Sequence, residues 1–137
     1  MPTPRSSTTK KFEYVLYLVR TCLREATNPA LEVSLRTATA LELPLVCLAV
    51  VEDRFPATMQ GKVLPPWQPT DRKACFILEA LQEMQPRFER RGTQLLVHVD
   101  RDGCRPAVAL SLAAKAALVI TEEHYGIEPS ASAAERV

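Results

Sequence analysis

Apolar residues along this chain alternate between short unbroken blocks and stripes of helical period. Tyr14 to Val19 is a continuous apolar, β-rich run ending at Arg20, the pattern of a strand covered on both faces. Asn28-Pro29 then marks a helix start. Asn caps the free backbone N–H groups there, and Pro at the first helical position gives up no needed hydrogen bond. Leu31, Leu35, Ala38 and Leu41 follow at helical spacing as one apolar stripe. Pro44 disfavours α geometry at Leu43 and sets the boundary before a second strand, Leu45 to Val51.

Between Glu52 and Thr70 stand Pro56, Gly61, Pro65, Pro66 and Pro69, a density of breakers that predicts a long irregular loop. Asp71 is the expected cap of a second helix with the stripe Ile77, Leu81, Met84 and Phe88. Its end carries Arg90 and Arg91 near the negative pole of the dipole and Gly92 as the stop, while Pro86 is expected to bend or shorten it. Leu95 to Val99 reads as a third strand, Pro106 opens an alanine-rich third helix to about Lys115, and Ala117 to Thr121 reads as a fourth strand. Strands separated by helix-length crossovers require parallel pairing with right-handed connections. The expected fold is therefore α/β, a Rossmann-like doubly wound parallel sheet of about four strands with three crossover helices. One domain over residues 13–129 is expected, between a basic disordered tail at 1–12 and a second disordered tail at 130–137.

Composition narrows the function more than the fold. The chain has 137 residues, 47% of them hydrophobic, enough for one core. Lys+Arg 17 against Asp+Glu 16 leaves no overall basic field for nucleic acid, so DNA is an indirect partner at most. Cys22, Cys47, Cys75 and Cys104 are far apart and form no CxxC, which signals neither a zinc site nor a disulfide scaffold. No apolar run approaches the roughly 20 residues of a membrane span, so a soluble intracellular protein, cytoplasmic and without a membrane partner, is expected.

In an open parallel sheet, ligands bind beyond the carboxyl ends of the strands, where strand order reverses. That mouth is expected to be lined by Arg20, Thr21, Arg24, Glu52, Asp53, Arg54, Asp100, Arg101, Glu122 and Glu123. Gly61, Gly92, Gly103 and Gly126 match neither GxGxxG nor the P-loop, which speaks against dinucleotide oxidoreductases and P-loop NTPases. His98 and His124 have no catalytic partner at a recognisable spacing, so no catalytic residue is assigned and no metal site is expected. Arg87, Arg90 and Arg91 suit dipole compensation better than phosphate binding. Trp67 is either a partner-facing anchor or a loop staple.

Several segments taken together resemble one family. Val15-Leu16-Tyr17-Leu18-Val19-Arg20-Thr21-Cys22-Leu23-Arg24 followed by Asn28-Pro29-Ala30-Leu31 is similar to the first strand, arginine-bearing turn and Asn-Pro-Ala-Leu helix start of DNA photolyases and cryptochromes. Leu43-Pro44-Leu45 resembles the entry to their second strand. Phe76-Ile77-Leu78-Glu79-Ala80-Leu81 resembles their second helix, Arg91-Gly92-Thr93-Gln94 the turn into the third strand, and Leu118-Val119-Ile120-Thr121-Glu122-Glu123 the fourth strand. Each motif alone is weak; their shared order is specific.

The resemblance implies the family's N-terminal α/β domain, which in many members carries an antenna chromophore such as a folate or a deazaflavin. Arg20, Arg24 and Asn28 are the matching positions at the expected antenna mouth. Thr27 stands where many relatives have Asp, and Thr21-Cys22 replaces an Arg-Asp pair. FAD belongs to a helical domain that follows in the family and is lacking here. The resemblance thus implies the antenna part of a light-driven, deoxyribodipyrimidine photo-lyase-like repair system, inactive alone. Its partner would be a helical FAD domain or another protein covering the open sheet edge. The alternatives are a freestanding nucleotide or small-molecule binding module of universal-stress-like fold and a cryptochrome-type interaction module.

Overall fold

All six residues of the first strand, β1 (Tyr14–Val19), are buried, because β1 is hydrogen-bonded on both edges and packed on both faces. The computed structural model describes residues 11–52, 55–59, 62–67, 70–100 and 107–122, and for 52, 55–59 and 62–67 the backbone alone. In chain order, β1 is followed by α1 (Pro29–Ala40), β2 (Leu45–Glu52), the pair β3 (Phe55–Met59) and β4 (Lys62–Trp67), α2 (Asp71–Arg90), β5 (Gln94–Asp100), α3 (Val108–Ala113) and β6 (Ala116–Thr121). The main sheet has the order β5-β2-β1-β6 with every pairing parallel. This is the expected Rossmann-like α/β sheet with three helices.

The helices divide between the two faces. Leu31 of α1 and Leu81, Met84 and Phe88 of α2 bury against Tyr17, Val19, Cys47, Ala49 and Leu95. On the other face α3 packs Val108, Ala109, Leu112 and Ala113 against Tyr14, Leu16, Leu18, Leu48 and Ala116. Alternate residues of β1 therefore feed different cores, as the two-residue period of a strand demands. Ile77 is also packed on the first core, so the predicted α2 stripe is the buried one. In α1 the stripe ends at Ala38, and Leu41, the C-cap, is exposed.

Both long helices close with the same backbone motif. After α1 the N–H groups of Glu42 and Leu43 donate to Thr39 and Ala38; after α2 those of Gly92 and Thr93 donate to Glu89 and Phe88. This Schellman arrangement needs a left-handed residue after the C-cap, and the two positions that supply it are Glu42 (φ 54) and Gly92 (φ 77). Thr70, rather than Asp71, caps α2, its hydroxyl accepting from the Lys73 N–H at 3.3 Å. The helix runs through Pro86 for a further turn.

The predicted loop after β2 is corrected by the structure: it contains the antiparallel β3–β4 pair. The prolines are accommodated because both strands are edges, and because the register shifts between Phe55 and Ala57, opposite Trp67 and Leu64. Pro56, Pro65 and Pro66 all lie inside that shift, where the missing N–H groups interrupt no regular ladder. The predicted tails at 1–12 and 130–137, apart from Lys11 and Phe12, lie outside the described residues, as do Asp53, Arg54, Arg101, Gly103, Cys104, Pro106, Glu123 and His124. No helix among the described residues is long and apolar enough to cross a membrane.

Candidate functional site

From β1 the chain moves outward through β2 to β5, then returns to pair β6 on the opposite edge of β1. The order reverses between β1 and β6, and this topological switch point is where such sheets open a crevice beyond their carboxyl ends. Residues 20–28 on one side and Glu122 on the other flank that crevice.

The turn leaving β1 is tightly wound. Leu23 N–H donates to the Thr21 carbonyl at 3.0 Å and Arg24 N–H to the Cys22 carbonyl at 2.8 Å, two overlapping three-residue turns. With those carbonyls folded back, the N–H groups of Thr21 and Cys22 point together at the switch point, a small anion-binding nest. Glu122 Oε2 accepts from both N–H groups and from Thr21 Oγ1, each at 2.7 Å. Glu122 Oε1 accepts from the Tyr17 hydroxyl at 2.6 Å. One carboxylate thus ties the end of β6 to β1 and its following turn.

Beneath it, Asn28 Nδ2 donates to the Tyr17 hydroxyl oxygen and to the Arg24 carbonyl, both at 3.0 Å, while Asn28 Oδ1 caps α1 through the Leu31 N–H at 3.1 Å. Partial burial of the Glu122 carboxylate raises its pKa, but hydrogen bonds from Tyr17, Thr21 and Cys22 outweigh this and hold it below the ordinary value of 4.5. Burial first, then the hydrogen bond to Glu122, drive the Tyr17 phenol well above the usual tyrosine range. Tyr17 is therefore a fixed donor and Glu122 a fixed anion at neutral pH.

Of the residues predicted for the mouth, Arg24 is exposed on its rim and Arg20 half-buried at the end of β1. Asn28, only 1% exposed, lies under the mouth, with its amide spent on the framework. Arg24 lines a shallow depression with Thr21, Cys22, Leu23 and the ring of Phe76, which is 66% exposed. Asp100 stands at the carboxyl end of β5, one of its carboxylate oxygens buried without a hydrogen-bond partner. The side chains of Glu52 and Trp67 are not described.

Sequence reasoning placed Glu122 among ten mouth residues without distinguishing it, and gave Tyr17 no polar role. The available signal was a carboxylate directly after the strand that flanks the switch point. The arginines ending α2 are consumed internally: Arg87 pairs with Glu83, and Arg91 with Glu25 at 2.8 Å and Glu32 at 2.5 Å. No group of three or more His, Cys, Asp or Glu among the described residues could hold a metal ion.

A parallel sheet with helices on both faces and polar donors gathered at its switch point defines an α/β domain of the doubly wound class. Within that class, the DNA photolyase family model matches residues 15–135, and the chain belongs to the DNA photolyase family. It is similar to the deoxyribodipyrimidine photo-lyase of Methanothermobacter thermautotrophicus, with 30% identity over 112 residues. The match covers 82% of this chain and 22% of that relative, so the chain spans about a fifth of the relative's length.

Proposed function

We propose that this photolyase-like chain is the antenna-chromophore part of a light-driven, deoxyribodipyrimidine photo-lyase-like DNA repair system, inactive alone. The observation that carries the reading is the depression beside the turn after β1, which Arg24 and the exposed Phe76 both line. A planar anionic chromophore, a folate or a deazaflavin, matches that pair: the ring offers a stacking face and the guanidinium a counter-charge. Thr21, Cys22, Leu23, Arg24 and Phe76 would hold it, and absorption of light is what it would supply. The chain's own contribution is positional, since Asn28, which donates to both the Tyr17 hydroxyl and the Arg24 carbonyl, fixes the turn that presents Arg24. FAD chemistry would come from a helical domain, and extrusion of a damaged base from DNA would fall to that domain.

The test is the near-UV and visible absorption spectrum of the purified protein before and after incubation with folate, deazaflavin and FAD, followed by gel filtration. A retained folate or deazaflavin, weakened by Arg24→Ala and by Phe76→Ala, supports the reading. A protein that retains none of them overturns it in favour of an interaction module using the outer edge of β6.

A further inference from the structure

Four donors converge on one side chain at the switch point: the N–H groups of Thr21 and Cys22, the Thr21 hydroxyl and the Tyr17 hydroxyl. Nothing in that set is specific to Glu122 as part of the chain; it is specific to a carboxylate. Three donors lie on one oxygen and one on the other, and Tyr17 is fully buried, so without a carboxylate its O–H would fall back on the longer contact to Asn28 Oδ1 at 3.4 Å. Thr21 is exposed and Cys22 half-buried, which places the site within reach of a ligand in the depression that these two residues share with Arg24 and Phe76.

We propose that these four donors form a carboxylate-binding site which Glu122 occupies in cis, and that an organic carboxylate ligand takes over the same donors when Glu122 leaves. The two carboxylates cannot share the site, so ligand binding and the tie between β6 and the turn after β1 are mutually exclusive. A lone small carboxylate cannot displace Glu122, whose attachment holds it at high effective concentration. A ligand that also stacks on Phe76 and pairs with Arg24 can. The proposal rests on the reading of this mouth as a ligand site, but not on a chromophore being that ligand.

The experiment is a formate titration of the full chain followed by ¹H–¹⁵N NMR at the Thr21 and Cys22 amides, in wild type, Glu122→Ala and Glu122→Gln. Formate has three heavy atoms, so even the best small-ligand efficiency allows a Kd no tighter than about millimolar. In Glu122→Ala both amides are expected to shift downfield, saturably, with a parallel rise in Tm; wild type is expected not to respond. Adding Thr21→Val removes one donor and weakens formate by about tenfold. Should Glu122→Ala not fold, Glu122→Gln carries the test, because its neutral amide is a poorer occupant that formate displaces. Formate shifts without chromophore retention support this site while removing the antenna reading, and the two can fail separately. Silent amides in both variants, or inorganic phosphate binding there in preference to formate, overturn the proposal.

Discussion

Replacing Tyr17 by Phe removes one hydroxyl and leaves the ring in its core. The hydroxyl donates to Glu122 Oε1 at 2.6 Å and accepts from Asn28 Nδ2 at 3.0 Å. Asn28 keeps one N–H on the Arg24 carbonyl at 3.0 Å and loses the acceptor of the other, and the main loss is a hydrogen bond to a charged acceptor. Such bonds contribute about 1.5–3 kcal/mol, and relief of burying the hydroxyl offsets part of it, leaving a net cost of about 2 kcal/mol. For a domain of this size that corresponds to a fall in Tm of roughly 10 °C. The pH dependence has a definite sign. Because the Glu122 pKa is lowered on folding from 4.5, its contribution is complete above that value and is lost as pH falls through the lower folded pKa. Tyr17→Phe raises the folded pKa, so the gap between variant and wild type is expected to shrink on acidification below about pH 4. Urea unfolding at neutral and acid pH measures both effects, and a double-mutant cycle with Glu122→Gln should give a coupling of at least about 1 kcal/mol. A loss under about 0.5 kcal/mol at neutral pH, or a loss unchanged in the Glu122→Gln background, would refute the reasoning.

The two Schellman motifs make an opposed pair of predictions. Glu42→Gly is expected to stabilise by about 1 kcal/mol, since a left-handed φ is strained for Glu and free for Gly; a lower urea midpoint would count against it. Gly92→Ala is expected to cost about 1 kcal/mol through φ alone, because nothing lies within 4 Å of the added Cβ. Arg91→Ala should cost roughly 0.5–1 kcal/mol in low salt and less in 1 M NaCl, the Glu25 and Glu32 partners being partly exposed and so screened. Burial pushes the Cys47 thiol up to about 11 despite its hydrogen bond to Thr93, whereas Cys75 is exposed. Thiol labelling of the native protein at mildly alkaline pH, mapped by peptide mass, should therefore modify Cys75 at once and Cys47 only on unfolding.

The main sheet was legible in the sequence because strands buried on both faces leave unbroken apolar runs, as in Tyr14–Val19, and because Asn28-Pro29 and Gly92 carry their structural reasons in their residue types. The β3–β4 pair was not, since proline density argues against strands, and only the register shift shows where those prolines are tolerated. Asn28 was legible as a cap, but its second bond to Tyr17 depends on a strand eleven residues away in sequence. The carboxylate's setting was illegible for a different reason: two of its four donors are backbone N–H groups, and side-chain identity says nothing of where those point. Glu42 adopting a left-handed φ was likewise invisible, for no feature of glutamate announces it.

The placement of β1 between strands from opposite ends of the chain bears on how the protein is made. One edge of β1 is satisfied by β2, which leaves the ribosome soon after it, but the other waits for β6, and the bonds from Tyr17 and Thr21 to Glu122 span 105 and 101 residues. During synthesis the most buried strand of the sheet therefore stays half open until almost the whole domain has emerged. Closure of that edge, which brings Tyr14 to the Leu112 carbonyl at one end and Tyr17 to Glu122 at the other, waits for residues 112–122. A nascent chain stalled before Glu122 would present the apolar edge of β1 to any passing strand.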